Sequence, residues 1–172
     1  MSVDTQRADG PVAGYASPSE RPPLRSYAGF AAVFNLGAVA ALVAAERADR
    51  LPKRVALGDV LLAGIAGHKL SRLISKDKVL SFLRAPFTEL QGSGAPAEYE
   101  EAPRGTGLRR AVGEMLVCPY CLGLWVVGGL QAGQLFAPRA TRVVSSTFTA
   151  LTISDFLQIA YKAAEDKGLG GS

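Results

Sequence analysis

Histidine occurs once in the 172 residues, tryptophan once and cysteine twice, and only 20% of the chain is charged. Each scarcity excludes something. A single histidine leaves no Ser–His or Cys–His arrangement in which a base activates a nucleophile. Two cysteines three positions apart cannot build a disulfide framework. They also lack the second CxxC that would complete the four ligands of a zinc ribbon. No carboxylate pair stands at a useful spacing and no glycine loop reads as a phosphate cradle, so an enzyme is not supported. The net charge is +4, but no interleaved aromatics accompany the basic residues, so nucleic acid is not expected as a partner. The chain also lacks a recognisable cleavable signal: its first apolar block begins near Tyr27, behind a tail of mixed charge.

What the chain does have is apolar residues in blocks. The hydrophobic share is 48%, with 19 glycines besides. The residues "YAGFAAVFNLGAVAALVAA" contain one polar side chain, Asn35. At about 1.5 Å per residue such a helix nearly spans a hydrocarbon core of about 30 Å. The expected fold class is therefore all-α, an integral membrane bundle of about four helices near residues 27–46, 55–74, 119–137 and 143–164. Short interfacial helices are expected over 77–90 and 108–117. Residues 1–26 read as a disordered tail, 91–107 as an aperiodic loop, "PRATR" as a turn and 165–172 as a flexible tail. Gly37/Ala41/Ala45, Ala63/Gly67 and Gly129/Gly133 are small-xxx-small rows that let helices approach closely in lipid. Of the 19 basic residues, 13 lie in the tails and the 69–110 region and six in the two tight turns. That bias favours a multi-pass protein of the cell membrane with cytoplasmic termini.

Polar residues inside apolar blocks are the candidates for function. Asp59 and Asp155 are expensive in lipid unless paired. His68 and Arg72 share a helix face, with Lys69 beside them, while Asp59 lies around the axis and must find its partner on another helix. With Gln158 these residues form a candidate intramembrane polar network, read first as a lock for the bundle and second as an oligomeric proton or ion pathway. Asn35, Gln131, Gln134 and Gln158 suit interhelical hydrogen bonds. Arg84, Glu89, Arg104, Arg109, Arg110 and Glu114 read as interfacial salt bridges reaching toward headgroups, and Trp125 as an interface anchor.

"EMLVCPYCLGLW" holds both cysteines. Proline fits the first turn of a helix, so a helix should start at Pro119 with Cys118 at its cap. A dithiol there has the helix dipole to favour a thiolate, with Arg109 and Arg110 near in sequence. Alternatively Cys118, Cys121, His68 and Glu114 could meet as metal ligands, or two copies could pool their CxxC pairs. The plainer reading makes both thiols small packing residues. No cofactor is expected, and zinc is the one ion this set admits. "GHKLSRLISKDKV", "LRAPFTE", "RGTGLRRAVGEMLVCPYCLGLW" and "FAPRATR…FTALTISDFLQIAY" together resemble the bacterial membrane protein family called domain of unknown function 1360, over about residues 28–163. The resemblance implies a small multi-helix membrane protein, some relatives of which are labelled as sporulation proteins, and it supplies no catalytic residues. The function expected is structural or interaction-based, as a subunit of a membrane assembly that touches the lipid bilayer and either other membrane proteins or its own copies. The alternatives are a membrane thiol-redox or metal-binding protein and the ion pathway.

Overall fold

A computed structural model describes residues 15–17 and 22–169. Most of the expected N-terminal tail lies outside the described residues. The elements are α1 (Leu24–Arg47), α2 (Leu57–Lys76), α3 (Ser81–Arg84), β1 (Thr88–Ser93), β2 (Tyr99–Pro103), α4 (Gly107–Val117), α5 (Pro119–Phe136) and α6 (Pro138–Leu169). Two helices, α1 and Pro138–Gly168 of α6, are long and apolar enough to cross a membrane, and a third span results if the bent pair α4–α5 counts as one.

The chain punctuates itself with backbone chemistry. Asp49 takes a left-handed φ of 52° just past α1. The N–H of Asp49 then reaches Glu46 and that of Arg50 reaches Ala45, which satisfies carbonyls a helix end leaves bare. Pro52 follows in the turn. The expected turn "PRATR" is instead the start of α6. Pro138 fits a first helical position, where its missing N–H costs nothing, and the Thr141 hydroxyl donates to Ala137. At the other end α6 runs on through residues 165–169, where a flexible tail was expected. Lys162 pairs there with Glu165 and Asp166 one turn on.

Packing centres on α2, which lies against α5 on one side and α6 on the other. Gly67 makes the α2–α5 approach close, since a Cβ there would meet Val127 Cγ2 at 2.5 Å. Ala63, Ala66 and Gly67 of α2 are buried, so the Ala63/Gly67 row works as expected. The Gly37/Ala41/Ala45 row does so only at Ala45, because Gly37 has nothing near it. Helix α1 rests on α5 through Phe34 and Trp125, edge to face at 5.4 Å between centroids. At the far end of the same pair Arg50 donates to the Phe136 carbonyl at 2.9 Å and lies over its ring. One end of the bundle thus carries the two tight turns. The start of α1, the end of α2, the strands and α4 gather at the other.

The strands correct the all-α expectation. The segment expected as an interfacial helix over 77–90 holds only the single turn α3 before β1, and the expected loop 91–107 contains β2. The pair is antiparallel, with Thr88 opposite Pro103 and a bulge at Leu90–Gly92. Its sequence has no apolar alternation because charge, not burial of a greasy face, fastens it. Glu98 binds Arg72 at 2.5 Å, Glu100 binds Lys76 at 2.8 Å, and Glu101 binds Arg84. Arg84 was expected to reach toward headgroups, yet it is fully buried. Its Nε and Nη2 bond Glu101 at 2.8 and 3.0 Å, and its Nη1 donates to the carbonyls of Ile74 and Asp77 at 2.9 and 3.0 Å. One arginine therefore caps the end of α2 and ties the hairpin to it. Helix α4 closes over the hairpin at Gly113, where a Cβ would lie 2.5 Å from the Phe87 carbonyl.

Candidate functional site

The CxxC stands at the corner between α4 and α5, which are bent by 83°. Cys118 is the N-cap of α5, as expected. Its extended backbone turns the chain, its thiol accepts the Cys121 N–H at 3.2 Å, and Pro119 takes the first helical position. Both thiols are free. The packing reading is corrected in one respect: Cys118 is half-buried and Cys121 is exposed within this chain.

Cys121 borders a cleft of about 370 Å³ between α1, α4 and α5, walled by Tyr27, Phe30, Phe34, Glu114 and Trp125 among others. Its volume falls at the small end of ligand-site sizes, about 300–1,000 Å³. Most of the wall is aromatic or aliphatic. The polar part is one cluster, in which the Tyr27 hydroxyl donates to one oxygen of Glu114 and the Arg110 Nε donates to the other at 2.9 Å. Glu114 is thus compensated from both sides and is not a bare carboxylate facing an apolar groove. Arg109 turns away to the Pro86 carbonyl. Neither arginine is directed at a thiol, which removes the cationic support suggested by their nearness in sequence.

The proposed ligand set is not assembled. His68 is exposed on α2, and among the described residues no three His, Cys, Asp or Glu side chains converge as a metal site needs. Cys121 shares the cleft wall with Glu114, but His68 does not join them, so the set falls short of a metal site within one chain.

The intramembrane polar network divides into two separate ion pairs. Asp59 in the first turn of α2 meets the Arg142 guanidinium with both oxygens, at 2.9 and 2.8 Å. Its partner does come from another helix, although Arg142 was not foreseen. Lys69 meets Asp155 at 2.5 Å. Arg72 belongs to the hairpin through Glu98, and Gln158 contacts only Ser154 on its own helix, at 3.5 Å. The expectation of interhelical amide bonds fails among the described residues. Asn35 donates to Ala31 of its own helix, the Gln134 amide nitrogen is buried without a partner, and Gln131 has no hydrogen bond. One hydroxyl does what the amides do not: Thr141, Ser145, Thr149 and Thr152 form a buried row along α6, and Thr149 donates to the Leu62 carbonyl of α2 at 3.3 Å, while Thr141 and Thr152 donate four residues back along the chain and Ser145 Oγ has no partner. Glu89 is exposed on β1. The signal for this row was present in sequence as hydroxyls three or four apart on α6, a spacing that marks one helix face.

These features define a helical protein with candidate membrane spans, cross-braced by ion pairs and closed at one end by a charged hairpin. The chain belongs to the family described as protein of unknown function DUF1360, whose model matches residues 61–161. It is similar to "Sporulation protein YjcA" of Bacillus subtilis (strain 168), 33% identical over 86 residues, which is 48% of this chain and 73% of that protein. It is also similar to "UPF0713 protein YngL" of the same strain, 30% identical over 78 residues, 44% of this chain and 56% of that protein. No solved structure matches. The family match takes in α6 to Tyr161, nearly all of α2, and the whole hairpin and CxxC corner. It omits α1.

Proposed function

We propose that this is a multi-pass protein of the cell membrane, with its termini and hairpin end in the cytoplasm, that serves as a structural or interaction subunit of a membrane assembly. One observation carries the reading. The most apolar window of α1 is only 6% buried within the chain and that of α6 only 11%, so long apolar faces are left for lipid and for other proteins. Val33, Leu36 and Val39 on α1 and Ile153, Phe156 and Ile159 on α6 are among these exposed side chains. Such faces in a monomer mark a membrane or a partner. The charges inside the bundle support the same reading, because Asp59 and Asp155 are each matched by a cation and brace α2 against α6. A proton or ion pathway would have to break those pairs. A role in sporulation is the process that the name of the similar protein suggests.

The second reading is a thiol or metal function at the cleft, favoured by the exposure of Cys121 on its wall. It needs a second chain to supply further ligands. Alkaline carbonate washing of membranes from cells making the full chain tests the first reading, and release into the supernatant overturns it. Metal content of the membrane-extracted protein, with C118S/C121S beside it, tests the second. Metal that is bound at less than one ion per two chains, or retained by the serine variant, excludes a site shared between CxxC pairs.

A further inference from the structure

Positive charge at the hairpin end is neutralised unevenly, and Lys78 there lies over the Tyr99 ring at 5.1 Å. Arg72, Lys76, Arg84 and Arg110 each face a glutamate. Arg104 and Arg109 do not. Among the described residues neither makes an ion pair, and both turn onto the carbonyl oxygen of Pro86. Arg109 donates to it through Nε at 2.9 Å and Nη2 at 2.7 Å, and Arg104 through Nη2 at 3.4 Å. Three N–H groups crowd one oxygen that has two lone pairs. Two guanidinium groups stand side by side with no counter-charge. The Nε of Arg104 is buried and has no hydrogen-bond partner, a state that costs free energy.

The chain between the two arginines, "RGTGLR", makes this geometry. Gly105 and Gly107 hold φ of 82° and 56°, which other residues resist. A Cβ on Gly105 would lie 3.0 Å from the Arg109 Cδ, so the glycine is what lets Arg109 fold back over the turn. Thr106 between them precedes the eleven-residue α4 without making a side-chain cap bond. The first amides of that helix are left without intrahelical acceptors, and its dipole favours a negative group.

We propose that Arg104, Arg109 and the Gly105–Gly107 turn form a binding site for a phosphate group, supplied by the headgroup of an anionic phospholipid. Planar guanidinium forks match phosphate oxygens two at a time. The phosphate chemistry stands on these residues alone, while the lipid as its source rests on the membrane reading above. The hairpin packs against α4 and the end of α2, which puts the two arginines at one end of the bundle, the level at which a headgroup would lie. The glutamates of the hairpin neutralise Arg72, Lys76 and Arg84, and Lys78 lies over Tyr99, which leaves Arg104 and Arg109 as the adjacent unpaired arginines.

The test uses the full chain purified in detergent. Retention of phosphatidylglycerol against phosphatidylcholine is read by native mass spectrometry, and binding of inorganic phosphate by thermal shift against chloride at constant ionic strength. The wild type should retain phosphatidylglycerol at least tenfold better than phosphatidylcholine. R104Q/R109Q should lose that preference, R104K/R109K, which keeps the charges and loses the forks, should keep only part of it, and R54Q, at the opposite end, should change nothing. Arg109 also supports the Pro86 carbonyl, so its loss could loosen the hairpin. R104Q gives up only a 3.4 Å contact and should by itself cut the preference severalfold with an unchanged melting temperature. Equal lipid retention by wild type and R104Q overturns the proposal. A response to inorganic phosphate without any lipid preference overturns the lipid source and keeps the phosphate site. Carbonate release with phosphate binding intact defeats the membrane reading instead.

Discussion

Replacing Glu101 with glutamine tests whether one buried ion pair holds the hairpin on the bundle. Arg84 has no exposed side-chain surface and Glu101 has 6%. E101Q preserves shape but leaves the guanidinium without its counter-charge, and it sets an amide NH2 against one of the two N–H donors. Removing one partner of a buried pair costs about 3–5 kcal/mol, because the other charge remains desolvated. The two backbone carbonyls on Nη1 soften this, which favours the lower figure. At about 2–4 °C per kcal/mol for a chain of this size, the melting temperature should fall by roughly 10 °C. The exposed Lys76–Glu100 pair sets the scale for comparison: K76Q should cost about 0–1 kcal/mol. Unfolding of the detergent-purified protein can be followed by Trp125, the single tryptophan, in parallel with proteolysis inside residues 88–103. R84M/E101L removes both charges and should recover a large part of the loss. If E101Q melts together with K76Q, or if the double variant is no better than E101Q, the ion pair does not anchor the hairpin.

Close approaches give a second prediction. Gly113→Ala should destabilise by about 1–3 kcal/mol, since its Cβ meets a backbone carbonyl that cannot yield, whereas Gly37→Ala, inside α1 with open space around it, should hold the melting temperature or raise it slightly. Gly67→Ala should be costly alone and largely relieved in G67A/V127A, because the obstructing atom is a side-chain methyl. The Asp59–Arg142 pair should show non-additivity: D59N/R142Q should be no less stable than either single change, as expected when both remove the same interaction. A membrane-impermeant maleimide applied to inside-out vesicles should modify Cys121 faster than Cys118, in the order of their exposure, read by peptide mapping after a short pulse. Equal rates would mean that the α4–α5 corner opens in solution.

The helices could be read from sequence because their information is local. Apolar runs, Pro119 at a first turn and glycine-rich pairs act within a few residues of where they stand. The hairpin could not, because "TELQGS" and "YEEAP" carry no alternation of apolar residues. Their strand form depends on Arg72, Lys76 and Arg84, which come from elements that precede them and only meet the glutamates in the fold. Arg84 illustrates the limit: as one of several basic residues in an interfacial stretch it reads as surface, and only its place beneath the end of α2 makes it core. The same holds at the cleft. Glu114 stood out beside the cysteines, but Tyr27, which binds it from 87 residues away, gave no signal in an otherwise apolar helix. Boundaries shifted where capping competed with composition, as at Pro138, which starts α6 rather than standing in a turn.

Charge bookkeeping in the folded chain separates what the molecule uses internally from what it offers outward. Asp59, Asp155, Glu98, Glu100, Glu101 and Glu114 are all matched by cations of the same chain, so proton or ion transfer through any of them would first have to break a pair. Each pair joins distant segments or stiffens one helix, which is how charges are tolerated in a low-dielectric bundle. The remainder is of two kinds. Apolar side chains on α1 and α6 face outward along the length of the helices, and among the described residues cations without a carboxylate stand at both ends, Arg104, Arg109 and Lys78 by the hairpin and Lys53, Arg54 and Arg139 by the tight turns. Apolar flanks with cations at their ends fit the proposed place in a bilayer, hydrocarbon beside headgroup.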